Sequence, residues 1–153
     1  ASGDDVFLLQ KAVNHSPEKV HYLKHSQNIV KTKPENDLFN FFQQRVRWAS
    51  KTTGYQSTYA KLLAVLVFLM NLGLVVGLWF VVCDCLEASI WLGVFSAKYL
   101  VDYALLYKAN RYLRKGRWLL PLASAAVYPF YASLVGMYSL FGGFSWKGRK
   151  FSR

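Results

Sequence analysis

The segment Asp37 to Lys51, DLFNFFQQRVRWASK, carries the most concentrated chemistry in this sequence. On a helix at about 100° per residue, Leu38, Phe39, Phe42, Val46 and Ala49 share one face. Gln44, Arg47, Trp48 and Lys51 share the opposite face, and Arg45 falls on the boundary. Arg47 suits a phosphate or diphosphate, because a guanidinium donates two parallel hydrogen bonds. Trp48 offers a flat apolar face on which the C–H groups of a sugar ring can rest, plus one N–H donor. Gln44 can donate to one oxygen and accept from another. Together these groups suit a sugar attached to a diphosphate. The same pattern also fits an amphipathic helix at a membrane interface, its basic residues towards lipid headgroups.

A second group of reactive residues opens the chain. Ser2-Gly3-Asp4-Asp5 precedes the apolar run Val6-Phe7-Leu8-Leu9. Acids in this place complement the positive end of a helix. A carboxylate there could equally serve as general base on a hydroxyl. Other titratable residues point to less. His15, His21 and His25 have no ligand-like partners in sequence, and Cys83-Asp84-Cys85 is too tightly spaced for a zinc knuckle. It is equally unsuited to a relaxed disulfide, and the expectation is two small side chains at a membrane edge.

The elements that must position these groups follow from composition. The chain has 153 residues, a net charge of +11 and 54% hydrophobic residues, which excludes a disordered segment. Leu62 to Val82 holds no charge and is long enough to cross the hydrocarbon core of a bilayer. Within it Gly73 and Gly77 form a GxxxG pair suited to close helix contact. Ala88 to Tyr107 is a second apolar stretch, with Lys98 and Asp102 one helical turn apart. That pair reads either as buried packing or as part of a substrate path, and Tyr99, Tyr103 and Tyr107 line up beside it.

Trp118 to Phe141 is a third apolar stretch, interrupted by Pro121, Pro129 and Gly136. It fits a full span or a re-entrant hairpin broken near Pro129. Basic residues cluster at the flanks of the three stretches: Lys61, then Lys108 to Arg117, then Lys147 to Arg153. That arrangement is a membrane pattern and speaks against nucleic-acid binding. With residues 1–61 cytoplasmic, the first span carries Asp84 and Glu87 to the outside. Upstream, Val6 to Val13 suits a helix and Val20 to Val30 suits one or two short strands. Asn36 or Asp37 can cap the next helix.

Read together, Gly3-Asp4-Asp5 and, about forty residues later, Gln44-Arg45-Val46-Arg47-Trp48 resemble the end of the catalytic domain of membrane-bound family 2 glycosyltransferases. That group includes the cellulose, chitin and hyaluronan synthases. Its marks are an acidic G-E/D-D or T-E-D turn, a Q-x-x-R-W motif and membrane helices after it. The resemblance implies an α/β fold for residues 1–60, as the end of a GT-A-type catalytic domain. An all-α membrane region of two to three helices follows over 61–153. It implies inverting transfer from a nucleotide-diphosphate sugar to a glycan or lipid-linked acceptor, at a multi-pass cell membrane, in bacteria the inner one.

By the same resemblance Asp5 is the catalytic base. Asp4, Gln44, Arg45, Arg47 and Trp48 bind substrate, with Gln44 and Arg47 on the diphosphate and Trp48 under the acceptor sugar. A divalent cation, Mg or Mn, is implied through a D-x-D motif that these 153 residues do not contain. The chain lacks an initiator Met and a signal peptide and is expected to be the carboxy-terminal part of a longer enzyme, inactive alone. Two departures stand out: Phe7 where the family often has an acid or His, and Lys31 where a Thr commonly precedes the loop proline. The rival expectation is a small basic membrane scaffold that binds anionic lipids without catalysis.

Overall fold

A computed structural model describes residues 4–113, 121–146 and 149–151. The elements in order are α1 (Asp4–His15), α2 (Leu38–Ser50), α3 (Thr58–Val82), α4 (Ala88–Leu113), α5 (Pro121–Phe141), and the strands β1 (Phe144–Trp146) and β2 (Arg149–Phe151). Short 3-10 turns occupy Pro17–Lys19, Ser26–Asn28 and Lys51–Gly54. By contacts the chain divides into two compact units, residues 1–66 with 135–153, and residues 67–134.

The expected α/β fold of residues 1–60 is overturned. The architecture is helical, and residues 4–60 hold no strand. The stretch Val20 to Val30 has the composition of a strand, yet Tyr22, Leu23 and Val30 are all exposed and a 3-10 turn interrupts it. A strand is stable only when a neighbour takes its backbone bonds and a core takes one face. Among the described residues this stretch has neither. Among the described residues, the one strand pair is antiparallel and lies at the other end of the chain, with Phe144 opposite Phe151 and Trp146 opposite Arg149.

In the first unit, α2 begins where Asp37 stays extended and its carboxylate accepts the Asn40 N–H at 2.7 Å. That cap satisfies one of the orphan donors of the first turn. The helix packs by Val46, which is fully buried, and by Phe42, whose ring meets Tyr138 edge-on at 5.6 Å. Strand β1 lies against the same helix. The expected apolar face is thus used only in its second half, because Leu38 and Phe39 are exposed.

In the second unit, Trp91 of α4 lies against Gly77 of α3 and donates its indole N–H to the Leu74 carbonyl at 2.9 Å. Gly77 leaves the space that the indole fills, whereas a Cβ at Gly73 would meet nothing within 4 Å. Only one member of the GxxxG pair is therefore used for helix contact inside the unit. Asn71, fully buried in an apolar helix, turns its amide back onto the Val67 carbonyl at 2.7 Å. Lys98 pairs with Asp102, and its ammonium sits 5.4 Å from the centre of the Tyr128 ring.

Among the described residues, two helices, α3 and α4, are long and apolar enough to cross a membrane. α3 begins four residues ahead of the uncharged stretch. α4 runs past Tyr107 to Leu113, so the basic residues Lys108 and Arg111 continue the helix. Their long apolar stems allow that, since the charged heads reach the interface while the backbone stays helical. Helix α5 is unbroken through Pro129, so no hairpin forms there. Residues 118–120 of the expected third stretch lie outside the described residues, as do Gly3 of the acidic turn and Lys147.

Candidate functional site

The two groups of reactive residues lie on α1 and α2 of one unit. α1 starts at Asp4, and the side chain of Asp5 is exposed. It makes no hydrogen bond or ion pair among the described residues. A free carboxylate in the first turn is stabilised by the unpaired N–H groups of the helix end. The side chain of Asp4 is outside what the structure describes.

Three contacts fix α1 against the chain just after α2. The Phe7 ring lies on Gly54, where a Cβ would come within 3.1 Å of it. Gln10 accepts the Gln56 backbone N–H at 3.1 Å, and Asn14 donates to the Gln56 side-chain carbonyl at 2.6 Å. Phe7 is the position where the resembled family often carries an acid or His. Here its ring serves as the packing surface that holds the acidic end of α1 in the same unit as α2.

Four of the candidate substrate residues, Gln44, Arg45, Arg47 and Trp48, stand on α2. Gln44 donates its amide to Glu35 at 2.7 Å. Arg47 is half-buried, and its backbone carbonyl accepts the Ser50 hydroxyl at 2.9 Å. Trp48 is 44% exposed. Arg45 stacks on two aromatic rings of its own helix. Its guanidinium carbon lies 4.7 Å from the centre of the Phe41 ring and 4.5 Å from that of Trp48. No direct bond joins Asp5 to Gln44, Arg45 or Trp48 among the described residues.

Sequence reasoning missed Glu35 and the Arg45 stack. For Arg45 a signal existed, because Phe41 and Trp48 stand four before and three after it, the spacing that brings side chains together on a helix. For Glu35 there was none, since it precedes the helix by an irregular loop. Among the described residues no three His, Cys, Asp or Glu side chains gather as a metal site needs. The D-x-D motif through which the resemblance implies a divalent cation is not part of these 153 residues.

No protein-family model, curated protein or solved structure matches the chain. What the site can do follows from its own residues.

Proposed function

We propose that this chain is the carboxy-terminal part of an inverting membrane glycosyltransferase. It moves a sugar from a nucleotide-diphosphate sugar to a glycan or lipid-linked acceptor. The observation that carries the proposal is the clamp of Phe7, Gln10 and Asn14 on Gly54 and Gln56. It keeps an exposed carboxylate, without a partner among the described residues, and the Gln-Arg-Trp helix in one unit, directly ahead of an apolar helix long enough to span a membrane.

The roles follow from what each step needs. An acceptor hydroxyl attacks the anomeric carbon as its proton passes to the Asp5 carboxylate. The bond from that carbon to the diphosphate oxygen breaks, and the electron pair leaves with the nucleoside diphosphate. Arg47 and Gln44 meet the growing negative charge with N–H donors, which favours the transition state over the bound substrate. Trp48 supports the acceptor ring.

The test is transfer of labelled sugar from a panel of nucleotide sugars, in membranes that hold the whole gene product. Asp5→Asn keeps the shape and removes the base. It is expected to lower turnover by about two to four orders of magnitude with uridine diphosphate binding intact. Retained turnover removes Asp5 from this role. A second reading has one observation in its favour. Leu38 and Phe39 are exposed at the start of α2, as an interfacial helix requires. It predicts vesicle binding that depends on these two residues and no sugar transfer.

A further inference from the structure

The resemblance implies that Arg45 binds substrate, without saying which part, and its surroundings point to a specific task. The guanidinium is held between two aromatic rings of its own helix, at 4.7 Å from Phe41 and 4.5 Å from Trp48. Phe41 and Arg45 are half-buried, while Trp48 is 44% exposed. A guanidinium is planar and weakly hydrated, so it stacks on rings in a way an ammonium does not. The Arg45 cation therefore lies over the Trp48 ring, while Trp48 as a residue keeps 44% of its surface open to solvent.

We propose that Arg45 is a positioning residue, which fixes the Trp48 indole as a platform for a neutral pyranose ring and does not itself meet the diphosphate. The inference deepens the glycosyltransferase reading and rests on it for the identity of the ligand. The charge over the ring also restricts what the platform can hold. A second cation opposite the first would be repelled through the thin ring, so a quaternary ammonium headgroup is disfavoured. A sugar ring, apolar on its C–H face and uncharged, is not. Holding the indole before the ligand arrives lowers the ordering cost of binding, which for one side chain corresponds to about two- to tenfold in affinity.

The experiment uses the full-length protein in lipid nanodiscs with 15N-labelled tryptophan. The indole N–H resonance of Trp48 is assigned by its loss in Trp48→Phe. Arg45→Ala is expected to shift and narrow that resonance as the ring gains motion. It is also expected to weaken binding of cellotetraose or chitotetraose, two neutral pyranose probes, by about two- to tenfold, with uridine diphosphate affinity within about twofold. In a Trp48→Ala background, Arg45→Ala should add nothing. Arg45→Gln, closer in length and polarity, gives the same reading if the alanine variant does not fold.

A Trp48 resonance indifferent to both Arg45 variants overturns the positioning role. So does a parallel loss of uridine diphosphate and saccharide binding, which would return Arg45 to the diphosphate. If the resonance answers to Arg45 but the wild-type protein binds neither probe, the positioning contact stands and the glycosyltransferase reading falls.

Discussion

Gln44 spends one of its amide hydrogens on Glu35, 2.7 Å away, at the place where the proposed site needs donors for a diphosphate. The carboxylate is thus both a holder of Gln44 and a negative charge beside the proposed diphosphate site. Two unit charges about 4 Å apart repel by roughly 1 kcal/mol even in water. Glu35→Gln keeps a hydrogen-bonding partner for Gln44 and removes the charge. Uridine diphosphate is expected to bind this variant about fivefold tighter by calorimetry, with the gain shrinking as salt is added. Looser binding would mean that the carboxylate's grip on Gln44 outweighs the repulsion.

Gly73 and Gly77 share a motif but not an environment, and substitution should separate them. A methyl group on Gly77 would stand 3.0 Å from Trp91 Cδ1, and the indole could yield only by straining its 2.9 Å bond to the Leu74 carbonyl. Gly77→Ala is expected to cost about 1 kcal/mol, the size of one such bond or of mild overpacking. At Gly73 a methyl group meets nothing within 4 Å. Gly73→Ala should then be neutral or stabilising by up to about 1 kcal/mol through helix propensity. Unfolding of the two variants by SDS in mixed micelles measures both.

These cases show where the sequence was readable. The Asp37 cap, the burial of Val46 and the course of α3 follow from local rules: a capping side chain, a helical period, an uncharged run. The strands expected over Val20 to Val30 do not form, because a strand depends on partners that local composition cannot supply. Leu38 and Phe39 have the right phase for the packed face but sit a turn beyond the contacts of Phe42 and Val46. Helix phase and the Asp37 cap likewise anticipate α2, on which the candidate residues Gln44, Arg47 and Trp48 stand. The contacts that define their setting come from Glu35, Phe7 and Gln56, across loops whose course no periodicity encodes.

Lys98 and Asp102 present a coupled case in the middle of α4. Each charge alone in a span costs roughly 2.5–3.5 kcal/mol on insertion scales, and the pair offsets much of that. Lys98→Ala leaves Asp102, which is 39% exposed along its side chain, without its counter-charge. Asp102→Ala leaves Lys98 with the Tyr128 ring as its remaining partner among the described residues. Both single variants should insert or accumulate poorly, and the double alanine variant should recover most of the loss. A double-mutant cycle on membrane-inserted protein would show coupling of about 1 kcal/mol or more. Simple additivity would mean the two charges act independently.

The turn after α3 carries a backbone constraint that can be relieved by one substitution. Asp84 has φ 54°, and it is the one residue other than glycine with positive φ among the described residues. Its N–H bonds to the Val81 carbonyl at 3.1 Å, and the Cys85 N–H reaches back to Phe80 at 2.9 Å. That pair of bonds closes the helix with a left-handed residue, a place that favours glycine and is costly for a residue with a Cβ. Asp84→Gly should therefore raise stability by about 1 kcal/mol, whereas Asp84→Val should lower it by more, since β-branching suits positive φ least. The measurement is the denaturation midpoint of both variants in the same micelles.

Cys83 and Cys85 flank that residue as free, exposed thiols, and they make the membrane reading directly checkable. If α3 and α4 both cross the bilayer, the turn between them emerges on one side, and the basic residues Lys61, Lys108 and Arg111 hold the opposite ends inside. A maleimide that cannot cross membranes should then label the native cysteines in intact cells. Cysteines introduced at Thr53 or Lys108, in a background with both native thiols changed to Ser, should react only after permeabilisation. Thiols lodged in hydrocarbon stay poorly ionised and react slowly under every condition, whereas thiols at the water edge react at once. Prompt labelling of all sites from outside, or of none before permeabilisation, contradicts a two-span hairpin, and with it the orientation that would place Asp5, Arg47 and Trp48 where cytoplasmic nucleotide sugars can reach them.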